Sequence, residues 1–160
     1  MILSLLSVLV CADPAVDLGD SFSNLGNYNQ AITEYKRFLF FNPEGSKSAE
    51  IHYKIGLAYK SDHLWDQAIQ SMNSALKRTK DLESKSKIQI DLAITYLASN
   101  QPNLALLKLM SVLSQPTSSQ LHKRASFLKG LTEIYLFNWK AARSTFKTYF
   151  ENESRFHQID

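Results

Sequence analysis

Two stretches of the sequence decide the fold when one is placed above the other. They are LGDSFSNLGNYNQAITEYKRFLFFNP at residues 18–43 and IGLAYKSDHLWDQAIQSMNSALKRTK at residues 55–80. The two match at an offset of 37 residues, and the same offset continues into residues 92–117 and 129–154. Four register positions recur: Gly19, Gly56, Ala93 and Gly130; Tyr28, Trp65, Pro102 and Trp139; Ala31, Ala68, Ala105 and Ala142; Tyr35, Met72, Leu109 and Phe146. Self-similarity at a fixed period of this size is the signature of a repeat protein.

Each repeat divides into two amphipathic helices. In the first repeat the apolar pattern breaks at residues 26–27, and apolar residues then recur every three or four positions from Tyr28 to Phe38. That spacing places them on one helix face. The second helix ends at residues 42–43, because proline disfavours helical backbone at the residue before it. No stretch alternates apolar and polar residues long enough for a strand. The sequence therefore predicts an all-α fold, a right-handed α-solenoid of four antiparallel helix pairs.

The small residues predict close contact within each pair. Glycine or alanine recurs in the first helix at the position of Gly19, and alanine recurs in the second helix at the position of Ala31. A larger side chain at either position would force the two helices apart, at a cost of about 1–3 kcal/mol for overpacking. We interpret these residues as core residues.

This pattern resembles the tetratricopeptide repeat. That family has Leu-Gly-x-x-Tyr in its first helix, then Gly-x-Tyr-x-x-Ala, an aromatic residue, a small residue and a closing proline. The matching residues are Leu18, Gly19, Phe22, Gly26, Tyr28, Ala31, Tyr35 and Pro43; Ile55, Gly56, Tyr59, Trp65, Ala68 and Ala75; Leu92, Ala93, Tyr96, Pro102 and Ala105; and Gly130, Trp139, Ala142 and Phe146. In the fourth repeat, Lys129 and Glu133 replace the family's leucine and tyrosine.

The resemblance covers residues 13–151 and implies a protein-interaction scaffold. It is specific for the fold and says little about the partner, because such modules bind many different proteins. The partner that it implies is a protein or a peptide. The repeat is three residues longer than the family's common 34. A chain with long repeats after an amino-terminal export signal resembles bacterial envelope proteins, such as the lipoprotein of the outer-membrane assembly machine or the Tol-Pal-associated periplasmic protein.

The amino terminus predicts export. Residues 1–10 form an apolar run as long as the central region of a signal peptide and too short to span a bilayer. Cleavage after Ala12 would leave residues 13–151 as the repeat domain and 152–160 as a tail, in the periplasm or cell envelope. The run contains no lysine or arginine, so a buried helix, a retained anchor and lipidation of Cys11 stay open. If the signal interpretation fails, the protein is cytoplasmic.

The first helix of each pair is expected to line the concave face of the solenoid. The family's inward positions predict an apolar partner-binding groove: Tyr53, Leu57, Ile90, Ile94, Leu97, Phe127, Leu131 and Ile134. An exposed apolar strip of this extent is unusual on a monomer and would suit a helix or an extended peptide. The alternative is that the curvature of the solenoid buries these side chains among neighbouring helices.

The eighth helix predicts a second surface. Solenoids usually finish with a polar capping helix. Here the last helix instead carries Phe146, Tyr149 and Phe150, with Arg143 and Lys147 on its outer side. We expect this end to dock on a partner or on a second copy of the chain, so homo-oligomerisation stays open. The alternative is that Ser154–Asp160 folds back over this end.

The sequence shows no pattern typical of catalysis. The four histidines lack metal-binding spacing, and there is no glycine-rich phosphate loop or nucleophile elbow. A net charge of +3 gives no nucleic-acid footprint, and one cysteine cannot form an internal disulfide. We therefore expect no enzyme activity, no cofactor, no metal, no nucleic-acid partner and no transmembrane span. The alternatives to an envelope scaffold are a non-catalytic accessory subunit of an envelope assembly or secretion complex and a cytosolic co-chaperone-like adaptor.

Overall fold

The structure is a computed structural model that describes residues 13–156, with side chains for residues 13–151. Its elements are α1 (Pro14–Asn24), α2 (Tyr28–Phe41), α3 (Ser48–Ser61), α4 (Trp65–Arg78), α5 (Leu82–Ala98), α6 (Pro102–Leu113), α7 (Ser119–Tyr135) and α8 (Trp139–Phe156). The last helix extends five residues into the segment predicted as a tail. The predicted signal segment, residues 1–12, lies outside the described residues.

The helices pair in chain order. Each odd-numbered helix packs against the even-numbered helix that follows it, and each even-numbered helix packs against the first helix of the next pair. Within residues 13–156 the structure contains no strand. The predicted α-solenoid of four helix pairs is therefore confirmed.

The turn inside each pair has the same backbone geometry in all four repeats. Four residues spaced 37 apart have a positive φ: Gly26 (76°), His63 (59°), Asn100 (60°) and Phe137 (57°). The N–H of the residue after Gly26, Asn27, donates to the carbonyl of Phe22 at 2.9 Å, and the equivalent bond recurs in the other three turns. This is the hydrogen bond of a Schellman helix end, which normally uses glycine. Glycine, asparagine and histidine adopt a positive φ more readily than other residues, so Phe137 is the residue whose type favours this turn least.

The predicted close contact within each pair is present. A Cβ added at Gly19 would lie 2.5 Å from the ring of Tyr35, and one added at Gly130 would lie 2.6 Å from the ring of Phe146. The alanines that face these positions from the second helix are buried, and Ala31 is fully inaccessible. The small residues therefore let a large side chain of the second helix lie directly on the backbone of the first.

Stacking between repeats forms the rest of the core. One core cluster joins the buried residues of α1 and α2 with Ile51, Ile55 and Ala58 of α3. A second cluster runs from α4 through α5 and α6 to Ala125 of α7. Each first helix thus contributes side chains to the core of the preceding repeat, and the repeats do not form separate cores.

Gly56→Ala is expected to lower the free energy of unfolding by about 1–3 kcal/mol, because the added methyl overpacks the contact between α3 and α4. Its Cβ would lie 2.6 Å from Cγ of Met72 and 3.2 Å from the Met72 backbone nitrogen. Gly45→Ala is the matched control, since its Cβ would meet Asn42 no closer than 3.4 Å. Denaturant unfolding measures both variants. Equal stability of Gly56→Ala and the unmodified protein would contradict the contact.

Candidate functional site

The first helices of the four pairs carry the predicted groove, and the structure divides that groove into two halves. The amino-terminal half, on α1, α3 and α5, is occupied by two clusters of charged side chains. The carboxyl-terminal half, on α7, exposes apolar side chains and continues onto α8.

The first polar cluster joins α1, α2 and α3 around Asp20. Lys54 Nζ lies 2.7 Å from Asp20 Oδ2 and 3.2 Å from Glu50 Oε1. The Tyr35 hydroxyl donates to Asp20 Oδ1 at 2.6 Å. Burial and the neighbouring Asp20 carboxylate raise the pKa of Tyr35. Burial pulls the pKa of Lys54 down, but Asp20 and Glu50 outweigh it and the pKa is raised.

The second polar cluster joins α3, α5 and α7 around Asp91, whose side chain is only 8% exposed. It accepts a hydrogen bond from the Tyr53 hydroxyl, and Lys60 Nζ lies 3.1 Å from its Oδ1. Arg124 reaches the same oxygen at 3.6 Å. Burial and the Asp91 carboxylate raise the pKa of Tyr53. One carboxylate therefore neutralises cations from the helices on both sides of it.

The sequence analysis missed Asp91, which lies between the apolar residues Ile90 and Leu92. The repeat register gave no signal for these pairs. Asp91 shares its register position with Lys54 and Asp17, but Asp91 pairs with Lys60 and Arg124, whereas Lys54 pairs with Asp20 and Glu50.

The predicted groove residues lie in three different environments. Ile90 is fully buried, so its assignment to the groove surface is wrong: it points into the core between α5 and its neighbours. Tyr53 is held by Asp91, and the remaining residues of the amino-terminal half are partly buried against the core: Leu57, Ile94 and Leu97. The residues that stay exposed are all on α7: Phe127, Leu131 and Ile134.

Four aromatic rings at the end of the solenoid form what we call the C-terminal aromatic cluster: Phe127, Phe146, Tyr149 and Phe150. The ring of Phe127 lies 5.8 Å from the ring of Phe146 and 5.8 Å from that of Tyr149. Phe150 lies 5.3 Å from Tyr149 and 6.4 Å from Phe146. Phe127 belongs both to this cluster and to the exposed groove on α7, so the two predicted surfaces form one continuous surface.

A comparison of the fourth repeat with the third, at equal register positions, shows why these rings are accessible. Phe127 is 42% exposed, whereas Ile90 at the same position of the third repeat is fully buried. Tyr149 is partly exposed, whereas its counterpart Val112 is fully buried. In the third repeat α7 packs on α6, and within residues 13–156 no helix packs on α8 in the same way.

Lys129 and Glu133, the two departures from the family pattern in the fourth repeat, are partners. Lys129 Nζ lies 2.6 Å from Glu133 Oε1 and donates to Thr145 Oγ1 at 2.7 Å. Thr145 donates to Glu133 Oε2 at 2.7 Å. This network joins α7 to α8 with polar contacts where the family has a leucine and a tyrosine, and Glu133 is buried with its partners in place.

An open cleft of about 1130 Å³ lies where the α2–α3 loop, α3 and the start of α5 meet. Its charges are mixed, and Arg78 reaches Glu44 at 3.5 Å. The Asp81 carboxylate caps α5 by accepting from Ser84 N–H, a bond that lowers its pKa. Burial and then Arg78 lower the pKa of His52 on α3. The Asp81 carboxylate therefore already occupies the amino-terminal end of α5, where an anionic ligand would otherwise bind.

The described residues of the fourth repeat expose apolar and aromatic side chains. Within that part of the chain, no three histidine, cysteine or acidic side chains are grouped to hold a metal ion. None of its helices combines the length and the apolar character that crossing a membrane requires. What the described geometry offers is apolar and aromatic contact.

No protein-family model matches the chain, and no curated protein matches it in sequence. Its structure is similar to a crystal structure of MamA, with 21% identity and a TM-score of 0.75 over 90% of this chain and 79% of that one. It is also similar to a tetratricopeptide repeat protein from Parabacteroides merdae, with 20% identity and a TM-score of 0.76 over 88% and 52%. The N-terminal domain of stress-induced protein-1 from C. elegans matches with 16% identity and a TM-score of 0.62 over 72% and 91%. The chain has the fold of tetratricopeptide-repeat proteins.

Asp91→Asn is expected to lower the free energy of unfolding by about 1–2 kcal/mol, because a charged hydrogen-bond acceptor becomes neutral beside two cations. The matched control is Asp17→Asn, which changes the exposed residue at the same register position of α1. Denaturant unfolding of both variants gives the comparison. Equal effects of the two substitutions would show that the Asp91 cluster does not hold the helices together.

Proposed function

We propose that the chain is a non-catalytic protein-interaction scaffold that binds a protein or peptide on the continuous apolar surface of the fourth repeat. This surface consists of the C-terminal aromatic cluster together with Leu131 and Ile134. The observation that carries the proposal is that Phe127 is 42% exposed in the fourth repeat, whereas Ile90 at the same register position of the third repeat is fully buried. Repeat solenoids use extended surfaces of this kind to bind other polypeptides.

The composition of the surface suits a protein partner. Phe127 is 42% exposed and Phe150 is 60% exposed, and both lie among other rings. Aromatic residues and arginine are enriched where protein interfaces are buried. Arg124 and Arg143 are exposed on the same two helices. A partner would find large rigid side chains with Arg143 on the same helix as three of the rings, whereas Arg124 is paired with Asp91.

The polar clusters support placing the partner on the fourth repeat. Asp20 and Asp91 hold the tyrosines and lysines of the amino-terminal half in ion pairs and hydrogen bonds within the chain. A ligand there would have to displace these contacts and desolvate the charges, which opposes binding. Phe127, Leu131 and Ile134 carry no such cost.

The same surface could instead join two copies of the chain, which is the second candidate. The exposed aromatic area at one end of the solenoid favours it, because apolar area of this kind drives self-association when no other partner covers it. Sedimentation equilibrium distinguishes the two candidates, since self-association depends on protein concentration.

We also propose that the chain is exported to the bacterial cell envelope. The apolar run at residues 1–10 and the small residue at position 12 support it. The helix α1 is capped directly after that position, because the Asp13 carboxylate accepts from Ala15 N–H. Removal of residues 1–12 would therefore leave the cap of α1 in the chain.

Leu131→Glu is expected to reduce recovery of the native partner at least tenfold, because it places a charge in the middle of the apolar surface. Leu107→Glu is the matched control, since Leu107 is an exposed leucine on α6 outside that surface. Affinity purification from the native cells compares the two variants, after circular dichroism has shown that both are folded. Equal recovery with both variants would reject this surface as the binding site.

The mature protein is expected to have the mass of a chain that begins at Asp13, and to be found in the periplasmic fraction. Mass spectrometry of the protein from its native cells measures this. Membrane retention through a modified Cys11 would favour an anchored accessory subunit. An unprocessed Met1 in the cytosol would overturn export and favour an adaptor inside the cell.

A further inference from the structure

The last turn of α2 exposes two adjacent phenylalanines. Phe40 is 80% exposed and Phe41 is 73% exposed, and their ring centroids lie 5.1 Å apart. Phe38 of the same turn is buried and belongs to the core cluster of the first repeat. The core of this repeat is therefore filled without the two exposed rings.

The repeat register shows that the two rings depart from the pattern. The same register positions are polar in the other three repeats: Lys77 and Arg78; Ser114 and Gln115; Glu151 and Asn152. Cations such as Lys77 and Arg78 suit the carboxyl-terminal end of a helix, because they face the negative end of its dipole. The α2 helix lacks that interaction and exposes apolar surface to water instead, so the fold itself does not account for the two rings.

The apolar amino-terminal run joins the domain beside these rings. Gly19 of α1 lies against the ring of Tyr35 on α2. Asp13 lies six residues before this contact on α1, and Phe41 lies six residues after it on α2. Because the two helices are antiparallel, both positions lie at the same edge of the solenoid. Residues 1–12, whose first ten form the apolar run, therefore join the repeat domain at the edge that carries the rings.

Basic side chains lie at the same edge. Arg78 at the end of α4 reaches Glu44 of the α2–α3 loop at 3.5 Å, which holds the end of α4 beside the loop that follows the rings. Lys47 in that loop and Lys80 in the α4–α5 loop are exposed. The acidic groups have partners within the chain, since Glu44 pairs with Arg78 and the Asp81 carboxylate caps α5. The edge thus combines apolar rings with exposed cations.

From this combination we propose that the edge formed by the end of α2, the α2–α3 loop and the α4–α5 loop binds the surface of a bilayer that contains anionic lipids. We call it the loop edge. Phe40 and Phe41 enter the boundary between headgroups and acyl chains, and Lys47 and Lys80 face the lipid phosphates. The proposal goes beyond the proposed function, since it uses none of the residues of the fourth-repeat surface.

A bilayer suits the loop edge better than a protein partner does. Rings that anchor a protein interface lie in packed surroundings from which water is excluded. Here Asn42, Pro43 and Glu44 follow the rings, and cations lie beside them. Fluid acyl chains accept such rings without a shaped pocket, and lysines attract anionic headgroups. A bilayer that takes up the apolar run would also meet the rings, because both lie at one edge.

Quenching by lipids brominated on their acyl chains tests the contact in the full chain. Vesicles of phosphatidylethanolamine and phosphatidylglycerol in equal parts are expected to quench the indole introduced by Phe41→Trp about twofold. Phe137→Trp is the matched control, since Phe137 is 78% exposed in the turn between α7 and α8, at the opposite edge. Its indole is expected to stay unquenched, like the native Trp65 and Trp139, which begin α4 and α8 at that edge.

Two substitutions in the Phe41→Trp protein separate the rings from the charges. Phe40→Glu is expected to raise the lipid concentration for half-maximal quenching about tenfold, because a charge replaces an inserted ring. Lys47→Gln combined with Lys80→Gln is expected to raise it about tenfold as well, because the attraction to anionic headgroups is lost. Lys140→Gln, which removes an exposed cation of α8, is the charge control. Circular dichroism checks that each variant is folded. Residues 1–12 are the same in every variant, so the comparison reports which edge meets the lipid.

The other outcomes would reject the loop edge as a lipid-binding surface. Equal quenching of Phe41→Trp and Phe137→Trp, or quenching of neither, would do so. Equal quenching by brominated phosphatidylcholine vesicles would show that lipid charge is not recognised. Loss of native-partner recovery with Phe40→Glu, without any quenching of Phe41→Trp, would show that the loop edge binds a protein instead. Leu131→Glu tests the proposed function separately, because Leu131 lies on α7 and its substitution is expected to leave the quenching unchanged.

Discussion

The contact between a small residue of each first helix and a large residue of its partner helix is the constraint on which the rest of the structure depends. Gly19, Gly56 and Gly130 leave no room for a Cβ beneath Tyr35, Met72 and Phe146. Because the contact recurs every 37 residues, each pair has the same geometry and can stack on the next. A solenoid follows, since identical units that contact only their neighbours extend in one direction.

Stacking explains which surfaces the protein presents. Each first helix packs on the second helix of the preceding repeat. Internal repeats therefore bury apolar residues such as Ile90 and Val112. The fourth repeat keeps aromatic residues at the corresponding positions and leaves them accessible. The apolar surface of the fourth repeat is therefore the counterpart of the surface that α7 covers in the third repeat, which accounts for its apolar character.

The contacts between successive first helices are polar, unlike the apolar contacts within the core. Ion pairs around Asp20 and Asp91 bind successive first helices together and close the amino-terminal half of the groove. The sequence predicted the fold and the small-residue contacts, and it placed Phe127, Leu131 and Ile134 in one groove with Ile90. The sequence could not distinguish these exposed residues from the buried Ile90. A register position tells on which side of its helix a residue lies, but not whether a neighbouring helix covers that side.

The sequence by itself determined the fold, since the period of 37 and the pattern of glycine, alanine and aromatic residues are local properties that dictate how two adjacent helices meet. Only the tertiary structure decided which side chains are accessible and which charges pair. Accessibility depends on helices that lie about 37 residues away along the chain, and the partners of Asp91 come from α3 and α7. The positive φ of Phe137 could not be read from its residue type either, because phenylalanine rarely adopts that conformation.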